Sequence, residues 1–278
     1  LAFNIFCVTS VSKSLGQRYT EAAGLAYEEI QNEAVEKIER ELPAVKADAE
    51  RIQISADGAM VPLLHGVWAE VRTLVIGEIP PVGEKGNEER VHAHNLSYFS
   101  RKVSAEEFQR LALVELYKRG VGKAKEVAAV MDGAIWEQGF IDYHCPNAVR
   151  ILDFPHAAEH INQIGGFVHG EKSDASRIWL KERLHTLKHE GPQQLLAEIQ
   201  GHQKENPQAE VITSNLAYLE KRETQMQYPH FRAQGWPIGS GIVESGNKLV
   251  VEARLKGAGM HWAGENVNPM LCLPNIIC

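Results

Sequence analysis

Hydrophobic and polar positions fall into three successive patterns along the chain. From Arg18 to about Glu50 apolar residues recur near helical spacing (Leu25, Ile30, Val35, Ile38, Leu42) among Glu, Ala and Lys, with a break at Pro43. That spacing predicts one or two amphipathic helices. In "RIQISADGAMVPLL" alternation takes over, with Ile52, Ile54 and Ala56 on one face and Gln53, Ser55 and Asp57 on the other. A period of two marks a strand. "VWAEVRTLVIGEI" and "AHNLSYFSRK" follow across turns rich in Gly, Pro and charge, so a three-stranded antiparallel meander is expected. A helix from Ser104 to Arg119 then opens on a capping box, with Ser104 as cap and Glu107 at the third helical position.

The third pattern is a pair of nearly continuous apolar runs, "EVAAVMD" and "AVRILD", flanking the helix-like "GAIWEQGFIDYHC". Strands buried on both faces read this way, and the trio predicts a βαβ unit. Each run ends in an aspartate, Asp132 or Asp153, at the carboxyl edge of a parallel pair. Ligands of open α/β sheets bind at that edge. From about Glu171 to Phe231 everything reads helical, with apolar triples such as Leu180, Leu184 and Leu187, and then "GWPIGSGIVESGNKLVVEARLKGAG" runs from a glycine-rich loop into a helix capped by Ser240 or Gly241. The predicted organisation is an N-terminal helical segment (1–50), the first part of an α/β core (51–170), an all-helical insertion (171–231) and the last part of the core (232–278).

Composition narrows the class. The 278 residues are 44% hydrophobic and 23% charged, ordinary for a soluble globular chain. No apolar run approaches the roughly 18 residues of a membrane helix, and "LAFNIFCVTSVS" lacks the basic start of a signal peptide. A cytoplasmic address and no membrane partner are expected. Cys7, Cys145, Cys272 and Cys278 are scattered without a C-x-x-C, which predicts incidental reduced thiols. The net charge of −7 is local, because four basic and nine acidic side chains between residues 18 and 50 carry −5 of it. The remaining near-neutral chain leaves nucleic acid open as a partner.

Two constellations carry candidate chemistry. His156, Glu159 and His160 spell H-x-x-E-H, in which two histidines four apart hold zinc and the glutamate acts as base, with Glu244 or Glu252 as the third ligand. Asp153 followed by Pro155 is a helix start, however, which puts His156 at the helix N-terminus rather than mid-helix. The second constellation is Asp57, Asp132 and Glu244, three hard-oxygen ligands from a strand, a strand tip and a helix. Such a set suits two Mg²⁺ ions, and an ion pair roughly 3.5–4 Å apart serves phosphodiester cleavage. The plainer readings are a turn aspartate in "DGA" and a surface couple between Glu244 and Lys248.

"ADGAMVPL", "VMDGAIWEQGFID", "ILDFPHAAEH", "LAYLEKRETQMQYP" and "GWPIGSGIVESGNKLVVEARLKGAGMHWAGENVNPML" together resemble DDE transposases of bacterial insertion sequences, in the Kra-type group related to the Mutator-like branch. The resemblance runs from about Ile52 to Leu271. It implies a ribonuclease H-like mixed sheet flanked by helices and interrupted by an all-α insertion before the last acidic residue. It also implies a bacterial, nucleoid-associated enzyme that cleaves transposon ends and transfers the freed 3′-hydroxyl into target DNA. Asp57 would bridge two Mg²⁺ ions, with Asp132 and Glu244 holding one each, and Mn²⁺ could substitute. Asp153 and His156 match the branch's C/D-x-x-H motif and would support the site, leaving Glu159 and His160 without assigned chemistry. Lys248, Arg254 and Lys256 are candidates for phosphate contacts or for a solvated helix face. Trp136 and Trp262 are candidates for base stacking or, more simply, for core packing.

The implied partners are transposon-end and target DNA, with a homo-oligomer assembled on them. Little before Arg18 resembles the family's end-recognition region, and Pro274 stands where a helix would continue, so a truncated copy is expected. The alternatives are a zinc hydrolase using the HAAEH motif and an inactive DNA-binding remnant.

Overall fold

The alternating stretch becomes β1 (Arg51–Pro62), the central strand of a five-stranded mixed sheet in the computed structural model, which describes residues 12–45, 50–81 and 91–273. β2 (Trp68–Glu78) runs antiparallel to β1 with Thr73 opposite Asp57, and β3 (His94–Arg101) runs antiparallel to β2. On the other side β4 (Glu126–Met131) lies parallel to β1, and β5 (Val149–Leu152) parallel to β4, giving the order β3-β2-β1-β4-β5. The meander and the βαβ unit therefore share one sheet through β1.

Both faces of β1 are covered, so its alternation separates apolar from polar and not dry from wet. Ile52, Ile54 and Ala56 pack with Phe99, Phe108 and Phe140. Gln53 and Ser55, on the opposite face, are also buried, and Gln53 Nε2 donates to Ser55 Oγ (3.2 Å) and to the Gly239 carbonyl (3.4 Å).

The acidic N-terminal pattern forms a single helix, α1 (Lys13–Glu41), which ends at Leu42 in a left-handed turn just before Pro43. Of its five predicted apolar positions only Val35 and Ile38 are buried, while Leu25, Ile30 and Leu42 stay exposed. α1 packs instead through Gly24, where a Cβ would stand 2.0 Å from the Pro269 carbonyl oxygen. The helix expected at 104–119 is divided at Ala112 into α2 (Ala105–Leu111) and α3 (Leu113–Lys118), because Glu115 N–H bonds back three residues to the Ala112 carbonyl. Its start matches expectation, with Ser104 Oγ accepting from Glu107 N–H at 3.2 Å. α4 (Ile135–His144) connects β4 to β5.

Consecutive helices follow: α5 (Phe154–His169), α6 (Asp174–His189), α7 (Gln193–Glu205), α8 (Glu210–Lys221) and α9 (Tyr228–Ala233). They share one hydrophobic cluster with the sheet, in which Val130, Ile151 and Leu152 meet Trp179, Leu195, Ile199 and Leu216. The final stretch is α10 (Gly241–Gly246), a π-helical turn (Asn247–Glu252), α11 (Ala253–Leu255) and α12 (Gly264–Cys272). Val243, Val250 and Val251 pack on Val71, Val75 and Tyr98 of β2 and β3. Gly246 permits this approach, since a Cβ there would lie 2.8 Å from Val75 Cγ2.

Among the described residues no helix is long and apolar enough to cross a membrane. Cys145 and Cys272 are free and buried. Cys7, Cys278, Pro274, the end of the acidic N-terminal stretch (46–49) and the charged loop at 82–90 lie outside the described residues.

Candidate acidic site at the sheet edge

β1 and β4 are parallel neighbours, so a residue midway along the longer β1 lies beside the end of the shorter β4. Asp57 and Asp132 are those residues. Their carboxylates come together with that of Glu137, one ligand oxygen of each lying within 4.8 Å of the others. Asp57 Oδ1 accepts from Gly58 N–H (2.6 Å) and Oδ2 from Asn247 Nδ2 (2.9 Å). Asp132 Oδ1 accepts from Ala134 N–H at 2.8 Å. Gly133 takes a left-handed φ of 86°, which folds the chain back so that Glu137 Oε2 accepts from Gly133 N–H (3.0 Å) and Ala134 N–H (3.2 Å).

Every one of these partners is neutral, and among the described residues no Lys, Arg or His pairs with Asp57, Asp132 or Glu137. The protonation pattern follows from crowding like charges in a desolvated corner. Burial raises the Asp57 carboxyl above its ordinary range, with Asp132 and Glu244 adding to the push and the Gly58 and Asn247 bonds opposing it. Glu137, 1% exposed, is pushed up to about 10, first by burial and then by its hydrogen bond with Asp132. Near neutral pH Glu137 therefore carries a proton and donates it towards Asp132.

Glu244 does not join this cluster. It is exposed on α10, one turn before Asn247, and reaches Asp57 and Asp153 through its charge. Asn247 opens the π turn and ties that helix to Asp57. Asp153 and His156 have separate duties. Asp153 is 4% exposed and caps α5, with Oδ2 accepting from His156 N–H (3.0 Å), while Oδ1 accepts from Ser240 N–H (2.7 Å) in the loop before α10. Burial raises its carboxyl, and those two bonds oppose the rise. Ser240 occupies the cap position of α10 without a side-chain capping bond, its N–H and its side chain both turned to Asp153.

The histidines of the HAAEH stretch face α8. His160 Nδ1 lies 2.6 Å from Asn215 Oδ1, and its ring stacks on Tyr218 at 3.8 Å. His156 pairs with Glu159 at 3.7 Å and meets the His160 ring edge-on. Among the described residues no further His, Cys, Asp or Glu completes a metal-binding set with these two, and the one set that meets that test is Asp57, Asp132 and Glu137.

Of the three basic candidates, Lys248 and Arg254 are exposed, while Lys256 pairs with Glu252 at 2.9 Å. The π turn breaks the α-helical spacing of Glu244 and Lys248, and no ion pair joins them among the described residues. Trp136 stands edge-on to Phe108, and Trp262 Nε1 donates to the Leu255 carbonyl (3.0 Å), so both rings serve packing.

Glu137 and Asn247 are the site residues that sequence reasoning passes over. Glu137 sits at the third position of α4, where an acid is ordinary, and Asn247 stands in a run whose helical period is interrupted by the π turn. Asp57, Asp132 and Glu137 each offer one carboxylate oxygen that a metal ion could share. No protein-family model matches the chain, and no curated protein matches it.

Proposed function

We propose that this chain is the catalytic core of a DDE-type DNA transposase, which cleaves phosphodiester bonds at transposon ends and joins the freed strand to target DNA. The observation that carries the reading is the meeting of Asp57 and Asp132 at one sheet edge, with the Glu244 helix tied to Asp57 through Asn247. A sheet ordered β3-β2-β1-β4-β5, with two antiparallel and two parallel pairings, supports a ribonuclease H-like core. Five helices between β5 and the Glu244 helix support the interrupted form of that fold.

In this reading Asp57 and Asp132 would hold Mg²⁺ or Mn²⁺, with Glu244 contributing from α10. When bound, the ions activate the attacking oxygen and stabilise the leaving one. The protein's own contribution is orientation: Asn247 and Gly58 fix the two oxygens of Asp57, and Ala134 N–H fixes one of Asp132. Lys248 and Arg254 follow Glu244 and are exposed, so in this reading they would be available to DNA phosphates.

The test is nicking and strand transfer on element-end DNA with Mg²⁺ or Mn²⁺, comparing wild type with Asp57→Asn, Asp132→Asn and Glu244→Gln. Metal-dependent nicking is expected in wild type and in none of the variants. Nicking that persists in all three overturns the reading, and zinc that co-purifies and is lost in His156→Ala favours the hydrolase instead.

A further inference from the structure

The helical segment between β5 and the glycine-rich loop grips the sheet edge from outside. The Tyr218 hydroxyl donates to the main-chain carbonyl of Asp132, and the Arg222 guanidinium donates to that of Gly133. Ten residues after Tyr218, the Tyr228 hydroxyl donates to the Leu152 carbonyl (2.9 Å), immediately before Asp153. Both strand tips that end in an aspartate are thus held by a tyrosine of the helical segment.

At the β4 tip the grip is close. Arg222 also donates to the Tyr218 carbonyl (3.1 Å), and its guanidinium lies over the Tyr218 ring, 3.7 Å from the centroid. A Cβ on Gly133 would fall 2.4 Å from Arg222 Nε and 2.9 Å from the Tyr218 hydroxyl. Arg222 is 7% exposed, and its Nε has no hydrogen-bond partner. It also has no carboxylate partner among the described residues. A rigid fork buried against two successive carbonyls, without an ion pair, contributes geometry rather than surface charge.

We propose that Tyr218 and Arg222 are positioning residues: from α8 and its C-terminal cap they hold the Asp132–Gly133 turn, and so set the Asp132 carboxylate for the divalent ion. The inference rests on the transposase reading only through the ion, and it gives the helical segment a role at the site. Carbonyls 132 and 133 are taken by Tyr218 and Arg222, while N–H groups 133 and 134 are taken by Glu137 and Asp132. Both carbonyls and both N–H groups are thus engaged, while Asp132 keeps a carboxylate oxygen for the ion.

The experiment is Mn²⁺ binding to the full chain, without DNA, read by electron paramagnetic resonance. Wild type is compared with Tyr218→Phe, Arg222→Gln and Arg222→Lys, with melting temperature recorded for each. Partners behind a metal ligand typically change affinity 10-fold or more, so Mn²⁺ binding about 10-fold weaker is expected in Tyr218→Phe and Arg222→Gln. Arg222→Lys restores one donor but not the fork, and should recover only part of the loss. Tyr218→Phe removes a single oxygen and keeps the test decisive should Arg222→Gln fail to fold. Unchanged Mn²⁺ affinity in folded Tyr218→Phe overturns the positioning role, whatever the nicking assay shows. A wild type that binds Mn²⁺ but nicks no DNA overturns the transposase reading alone, and a wild type that binds no Mn²⁺ overturns both.

Discussion

Replacing Asp153 by alanine should destabilise the protein by about 2–4 kcal/mol. The figure follows from its two accepted bonds. Loss of an N-cap carboxylate costs about 1 kcal/mol, which covers His156 N–H at the start of α5. Ser240 N–H is buried and has Asp153 as its acceptor, and stranding such a donor costs about 1–3 kcal/mol. Asparagine should recover only part of this, because its one carbonyl oxygen must serve two N–H groups now met by separate oxygens, and its amide would face the other donor. Urea unfolding followed by tryptophan fluorescence provides the measurement, since Trp179 and Trp236 are both buried. An Asp153→Ala protein within about 0.5 kcal/mol of wild type would refute the view of this carboxylate as a structural tie. If the same variant lost nicking, the role implied by the C/D-x-x-H resemblance would be chemical after all.

Other expectations follow from the same kind of accounting. Glu137→Gln should keep wild-type stability, since the amide can accept from Gly133 and Ala134 N–H and donate to Asp132, whereas Glu137→Ala should cost about 2–4 kcal/mol by stranding Gly133 N–H, Ala134 N–H keeping Asp132, and by opening a cavity. Loss of Mn²⁺ binding in Glu137→Gln at unchanged stability would instead make this residue a metal ligand. Burial holds the His144 ring below its ordinary range, with Nε2 facing the Gln109 carbonyl at 2.7 Å. The unfolded ring therefore takes a proton before the folded one does, so its stabilising contribution is complete above about pH 6.5 and is lost as pH falls through the folded value. A ring that titrates by NMR at or above 6.5 would contradict this. Burial pushes the Cys145 and Cys272 thiols up to about 11, so neither should react with a disulfide reagent at pH 8 until urea is added, as peptide mapping would reveal.

The sheet was legible because its signals are local. Period-two alternation at Ile52, Ile54 and Ala56 and the apolar runs ending in Asp132 and Asp153 specify a meander and a βαβ unit that can share β1. The approach of Asp57 to Asp132 follows from that shared strand. What stayed hidden depends on contacts distant in sequence. Glu137 reads as an ordinary first-turn acid until the left-handed Gly133 folds it over Asp132. Leu25 and Ile30 carry the apolar spacing of α1, yet the helix packs by backbone approach at Gly24, a contact no hydrophobic pattern encodes. The π turn is equally silent in the sequence, because Leu249, Val250 and Val251 form an unbroken apolar run of which Leu249 remains exposed.

The hydrogen bond from Ser240 to Asp153 spans 87 positions, and beside it Phe154 N–H meets the Ile238 carbonyl at 2.9 Å. The five intervening helices are thus an excursion that leaves and returns at one point. Time separates its two ends during synthesis. At roughly 5–20 residues per second, the ribosome completes the segments bearing Asp57 and Asp132 about 6–23 s before it delivers Asn247. Throughout that interval Asp57 is without Asn247, the partner that its Oδ2 has in the finished fold.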